Sequence, residues 1–383
     1  MFTIVLAENA SEASTVWNPR GVDIGTYLDR APLIVQPQMH LQPFAFFNGW
    51  WLPPSYKEEL GKFLATYECP LDLLKEETRR RELQRYLQTN TPNDQGRLFG
   101  NELGESLREL EELGMQGKPL YNRFKKKTKE KERDLSVPKR ALEEILRGWV
   151  VPLIKREEQH KACHGGEIGW TPEQSIATHI PFKSVLTGDL ANAYRSTNVQ
   201  YVFDFFYNQA RKNREGEARN IAGFLTLLTT IHYAETGLAG LPQGSPASTA
   251  LFNRILRPID EKFAEECAQR RWRYSRWIDD ITISSPREED PEEMAELLGI
   301  IRADFPIATH KMFFQQTHNP GCRIMGHIVT GDTIRKATEE DKKPEPYETN
   351  AWKTYNELDR DRIERELSQE RGSPIIGHED ILF

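Results

Sequence analysis

The chain has few cysteines, no long apolar run and no surplus of positive charge, and each absence excludes something. Cys69, Cys163, Cys267 and Cys322 are the only cysteines among 383 residues, and no two form a C-x-x-C pair. A disulfide framework and a structural zinc site are therefore not expected, and the chain suits a reducing compartment. The nine histidines are scattered, and His160, Cys163 and His164 lack a second ligand pair at zinc spacing. No stretch reaches the ~18 apolar residues of a membrane span. The nearest, residues 221–241, is broken by Thr, His and Glu. The apolar opening residues lack the basic flank of a secretory signal. A soluble, cytoplasmic protein with no membrane partner is expected. A net charge of −7 argues mildly against a polyanionic partner, but charge acts as a pattern rather than a sum.

What is present is an ordinary globular composition, 38% hydrophobic and 28% charged, long enough for two to three domains and a self-sufficient core. The basic residues are concentrated. Residues 118–140 carry ten of them against three acids, and 270–276 read RRWRYSR. Two basic windows, one interleaved with aromatics, favour a polynucleotide partner over two solvated faces. Residues 37–56 are rich in proline and aromatics, which suits an extended arm serving as core, partner-docking surface or base-stacking platform.

Hydrophobic periodicity and turn residues predict helices over 71–87 and 102–113 with a turn at 90–96. A strand over 184–190 should lead to helices at 199–212 and 218–235, a Gly/Pro loop at 237–246 and one long helix at 248–270. A hairpin follows, 272–277 and 281–284 around a turn at 278–280. Then come a helix at 291–303, strands at 311–316 and 323–329, and one amphipathic helix in the tail at 350–370. Strand, helix, hairpin, helix, strand is a split-βαβ plan of α+β class.

Asp189 ends an apolar strand, and Asp279 and Asp280 stand at a hairpin tip. Carboxylates gathered from two strands repel one another unless a divalent cation neutralises them, and Mg²⁺ with oxygen ligands is the natural candidate. Alone, Asp-Asp would be a polar turn pair. Between the acidic elements, however, stands LPQGSP (241–246), whose Gly and Pro permit a tight backbone approach and whose Gln243 offers donors and acceptors.

In this order and spacing the motifs resemble the reverse transcriptase family. GDLANAY (188–194) is similar to its first catalytic motif, LPQGSPAS (241–248) to the motif before the template-side helix, and YSRWIDD (274–280) to its Y-x-D-D turn. FKKKTKEKERDLSVP (124–138) resembles the fingers motif, Lys311 falls at the fourth palm motif, and IMG (324–326) at the primer grip. The resemblance spans about 121–330 and looks closest to bacterial, defence-associated enzymes related to retron and group II intron reverse transcriptases.

The resemblance implies a right-hand polymerase. Its parts would be a helical N-terminal extension (1–115), fingers (116–182), a split-βαβ palm (183–330) and a short thumb (331–383). It assigns catalysis to Asp189, Asp279, Asp280 and Lys311, and binding of two Mg²⁺, replaceable by Mn²⁺, to Asp189, Leu190, Asp279 and Asp280. Lys126 and Arg133 would hold the triphosphate, with Lys125 and Lys127 as alternatives to Lys126. Tyr194 would exclude a 2′-hydroxyl, or be an ordinary core aromatic; Gln243 and Gly244 would meet the nascent pair. Lys311 would protonate pyrophosphate, or be a surface lysine. Arg273, Arg276, Trp277, Asn253 and Gly326 would contact nucleic acid.

Trp277 stands where the family has Tyr, and the tail is short for a three-helix thumb. A structured RNA, a second reverse transcriptase or self-association would then supply the clamp. The implied activity is copying of a dedicated non-coding RNA template into a DNA product from dNTPs, in antiphage defence. The alternatives are a retron enzyme, a template-independent DNA polymerase and a non-catalytic RNA-binding scaffold. The HGGEIG stretch (164–169) and Thr178-His179 resemble retron elements; the latter departs from the retron Asn-Ala-x-x-His, and Val329-Thr330-Gly331 lies just past its expected place.

Overall fold

The computed structural model describes residues 77–91, 103–115, 120–127, 132–166, 169–233, 238–302, 305, 307–317, 321–341 and 343–347. The aromatic arm at 37–56, most of the 90–96 turn and the tail helix at 350–370 lie outside them. The chain divides into two compact units, each made of two segments: 1–158 with 194–255, and 159–193 with 256–383.

In the first unit, helices α1 (Glu77–Asn90) and α2 (Leu103–Met115) precede a hairpin of β1 (Tyr121–Lys127) and β2 (Glu132–Pro138). Helix α3 (Arg140–Ile145) runs through a π-helical turn (Leu146–Val150) into α4 (Val151–Lys155). Helix α5 (Val199–Arg211) packs along α6 (Ala218–Thr229). Residues 221–230 are all buried, as befits a helix apolar on every side. The Tyr121 hydroxyl satisfies the Leu228 carbonyl at 2.7 Å and ties the hairpin's root to α6. The helix expected at 218–235 stops at Thr229, because Ile231–Tyr233 (β4) pairs with Leu238–Gly240 (β5). Helix α7 (Pro246–Ile255) completes the unit.

The second unit is built on a four-stranded antiparallel sheet in the order β6 (Arg273–Trp277), β7 (Asp280–Ser285), β3 (Ser184–Asp189), β8 (Phe313–Gln316). Because β7 is antiparallel to both neighbours, β6 runs parallel to β3 with β7 inserted between them, the split arrangement expected. The capped helix Pro172–Ala177 packs through Ile176 on Phe182, Val185, Cys322, Ile324 and Val329.

The helix expected at 248–270 is two, since α8 (Arg257–Gln269) restarts after Leu256 with Pro258 in its first turn, where a missing N–H is tolerated. The strand expected at 323–329 is likewise two, Cys322–Ile324 (β9) and His327–Thr330 (β10), turned at Met325 and Gly326 with positive φ, and β10 also pairs with Thr333–Lys336 (β11). The helix expected at 291–303 is split into Pro291–Leu297 and Gly299–Arg302. Among the described residues no helix is long and apolar enough to cross a membrane.

Candidate active site

In the sheet unit, β3 and β7 pair so that Asp189 stands opposite Asp280, and Trp277 opposite Asp280 closes a two-residue loop of Ile278 and Asp279. Ile278 has φ +59°, a conformation that a two-residue hairpin of this handedness needs and that glycine normally supplies. A β-branched residue there is strained. The loop backbone is tied down: Leu190 N–H donates to the Asp279 carbonyl at 3.0 Å, and Ala308 N–H to the Asp189 carbonyl at 2.8 Å. From the other side comes the 162–165 segment. Arg276 N–H donates to Ala162 and His164 N–H to Arg276, at 2.8 and 2.9 Å. A Cβ on Gly165 would lie 2.6 Å from the Ile278 nitrogen, so only glycine fits.

Burial first, then the charges of Asp279 and Asp189, push the Asp280 carboxyl up to about 7, with Lys311 pulling it back. The Lys311 ammonium lies 2.6 Å from Asp189 Oδ1. Among the described residues no group of three His, Cys, Asp or Glu is already arranged as a metal cage. The donor set nevertheless fits a hard divalent cation: its side-chain ligands are all carboxylates, and their mutual repulsion is what such an ion relieves. Leu190 has a buried apolar side chain, leaving only main-chain oxygen as a ligand type.

The remaining expected substrate residues belong to the hairpin unit. Lys126 and Arg133 face one another across β1 and β2 and both are exposed. Like charges directly opposite are unfavourable in a sheet, so the pair favours an anion. Nearby, a cleft of about 240 Å³ is lined by Arg123, Lys125, Asp134 and Arg195 among others, with Arg195 paired to Asp134 at 2.7 Å. The Pro-Gln-Gly loop docks on β2: Ser136 N–H donates to the Gln243 carbonyl at 2.7 Å. Gly244, at φ +113°, has a backbone conformation that strains any L side chain, and a Cβ there would sit a tight 3.3 Å from the Ser136 oxygen. At the loop's other end a Cβ on Gly240 would meet the Arg195 oxygen at 2.5 Å, and Leu241 N–H donates to the Tyr194 carbonyl at 2.8 Å. Tyr194 is half-buried; its hydroxyl shares a hydrogen bond with Thr249 Oγ1 at 2.7 Å and its ring meets Phe252 edge-on.

The expected nucleic-acid contacts need correction. Arg276 is 0% exposed and pairs with Asp260, and Asn253 is buried on α7, so neither side chain is at a surface. Arg273 is half-exposed and donates to the carbonyls of His179 and Pro181 at 2.8 and 3.1 Å. Arg270, just past the end of α8, pairs with Glu266 on that helix. The 270–276 window is therefore a strand entry knitted into the unit rather than a basic groove. Trp277 is half-exposed, and Gly326, at φ +74°, faces open space. Sequence reasoning missed Gly165, Asp260 and the Asp134–Arg195 pair; only Gly165, within the HGGEIG stretch, carried any local signal.

A family model described as reverse transcriptase (RNA-dependent DNA polymerase) matches residues 124–328. The Retron Se72 reverse transcriptase of Salmonella heidelberg (strain 579083-10) is 26% identical over 183 residues, 47% of this chain and 45% of that protein. The Retron Ec86 reverse transcriptase of Escherichia coli is 28% identical over 170 residues, 43% of this chain and 48% of that protein. The chain thus spans about half the length of the curated relatives it matches. Among solved structures, apo telomerase from Candida tropicalis, truncated from the C-terminal domain, aligns with TM-score 0.41 and 10% identity, covering 57% of this chain and 55% of that one. Candida albicans telomerase with a fragment of telomeric RNA aligns at 0.41 and 12%, covering 56% and 46%. Likenesses of that order bear on nothing below.

Proposed function

The chain belongs to the reverse transcriptase (RNA-dependent DNA polymerase) family, and from that premise we propose that it extends a DNA strand from dNTPs on an RNA template. The observation that carries the reading is the strand register that sets Asp189 opposite Asp280, with Asp279 in the adjoining loop. Asp189, Asp279, Asp280 and the Leu190 main chain would hold two Mg²⁺ ions, or Mn²⁺ in their place. Bound there, such ions would activate a 3′-hydroxyl and stabilise departing pyrophosphate.

The chain's own groups do the rest. Lys311, held on Asp189 and about one-third exposed, is the proton donor to the leaving group. Lys126 and Arg133 bind the triphosphate, Arg through its bidentate fork and Lys as a point charge. Gln243 meets the nascent pair. The Tyr194 ring, anchored through Thr249, blocks a 2′-hydroxyl; Tyr194→Val is expected to raise the rNTP/dNTP ratio of kcat/KM about tenfold, in keeping with what pocket size discriminates. In polymerase terms the four-stranded sheet belongs to the palm (183–330) and the β1–β2 hairpin to the fingers (116–182), with residues 1–115 as an N-terminal extension.

The template proposed is a structured non-coding RNA dedicated to this enzyme, copied in the cytoplasm in antiphage defence, with a second reverse transcriptase chain or a second copy of this one as a further partner. A retron reading stands beside it, favoured by the two relatives; its product would be covalently branched from RNA. The test is labelled dNTP incorporation by the purified chain with its co-purifying RNA and Mg²⁺, with and without RNase. Activity lost with RNase supports RNA templating, and product that stays attached to RNA selects the retron reading. Incorporation that survives complete removal of RNA overturns the templated reading in favour of protein-directed addition.

A further inference from the structure

Arg276 is the largest fully buried side chain of the described residues, two residues before the Ile278–Asp279 loop, and its guanidinium serves two partners. Nε and Nη2 donate to the two oxygens of Asp260 at 2.8 and 2.7 Å. Nη1 donates to the carbonyl of Ile278 at 2.6 Å. Asp260, likewise 0% exposed, also accepts from the Tyr274 hydroxyl at 2.6 Å, and the Tyr274 ring stacks on Phe263 of the same helix.

A buried ion pair is a poor source of net stability, because desolvation offsets most of the attraction. A fixed position for a strained loop is a better reason for one. Ile278 at φ +59° persists only while its surroundings over-determine it, and Arg276 contacts its carbonyl directly.

We propose that Arg276, clamped by Asp260, is a positioning residue that holds the Ile278–Asp279 loop and thereby fixes where the Asp279 carboxylate stands. The link to turnover rests on the polymerase reading; the link to the loop does not. Helix α8 carries Asp260, so the strut connects that helix to the loop through a single guanidinium. Its planar fork serves both ends at once, which the point charge of lysine cannot.

The test uses the full chain. Arg276→Ala leaves Asp260 buried and unpaired and is expected to lower the thermal midpoint. The informative variant is therefore Asp260→Leu with Arg276→Met, in which both charges leave together and comparable volume remains. With the midpoint held within a few degrees, amide exchange in the 277–282 peptide should rise at least about tenfold, and kcat should fall about 10²-fold, the scale of an ångström-size misplacement. KM for dNTP should stay within about twofold. Unaltered loop exchange in the folded double variant overturns the strut. So does wild-type kcat in a variant whose parent is active, and that result leaves the polymerase reading in place. A parent chain that incorporates no nucleotide, with loop exchange still raised in the variant, sinks the polymerase reading and supports the strut. Should the double variant not fold, Arg276→Lys is read by the same exchange measurement, with a rise supporting the strut and none overturning it.

Discussion

In the sheet unit the acidic groups stand on paired strand ends, behind them a buried ion pair and a glycine too tightly packed to be anything else. In the hairpin unit the expected cations, Lys126 and Arg133, stand opposite one another in solvent. The first arrangement fixes geometry at a cost, since burial first and then the neighbouring Asp279 and Asp189 push the Asp280 carboxyl up. The second leaves repulsion unrelieved on flexible stems that an anion can draw together. The proposed chemistry would use each in its own way, because reacting atoms need positions accurate to a fraction of an ångström, while a triphosphate needs charge that can follow it.

The sharpest break between the two is kinetic. Asp279→Ala is expected to lower kcat by more than about 10³ with the fold retained by circular dichroism, since losing even one stabiliser of developing charge costs about 10²–10³. Incorporation at the parent rate would remove the metal-site assignment. Arg133→Ala should act on KM instead, raising it for dNTP about tenfold, with kcat changed less, as expected for loss of one charge-assisted contact. Equal falls in kcat and kcat/KM for both variants would erase the distinction between the units.

A stability measurement sharpens the picture of the sheet unit. His179 is fully buried between Ser275 and Ser284, each hydroxyl 2.7 Å from a ring nitrogen. Burial first, then the charges of His164 and Arg273, hold it down to about 3. Below the ordinary histidine value the unfolded chain binds a proton that the folded one refuses, so stability falls as pH drops from about 6.5 toward 3. From pH 6.5 to 4.5 the contribution is about 2–3 kcal/mol. Asp204 and Asp280, both pushed up to about 7, act with the opposite sign over that range. The difference in urea midpoint slope between the parent and His179→Asn isolates the histidine, and identical slopes would show it to be protonated when folded.

How much of this was legible follows from the reach of each signal. The placing of the aspartates on neighbouring strand ends, the Pro-Gln-Gly loop and the succession of strands and helices could be read because each depends on neighbours within a few residues or on a pattern of period two. Arg276 was misread because alternation in RRWRYSR places Tyr274 and Arg276 on one face without saying that α8 covers it. Asp260 is one acid among several in RPIDEKFAEE, and its partner lies sixteen residues on. Gly165 meets Ile278 only through a tertiary approach. The helix ends at Thr229 and Leu256 moved for local reasons, strand pairing at Ile231 and a proline in the next first turn.

The smallest effect tests the comparison most closely. Lys126→Ala removes one of two like charges from facing positions on an exposed hairpin. The hairpin should therefore gain a few tenths of a kcal/mol, the usual scale of a cross-strand pair, even as dNTP binding weakens. Arg156, which donates to Asn90 in the same unit, serves as the control: its loss should destabilise. The Lys126 gain should be largest at low ionic strength and fade as salt screens the pair. A hairpin that instead loses stability would mean that Lys126 is part of its own scaffold, and the contrast between a unit that holds its acids in place and one proposed to bind an anion would go with it.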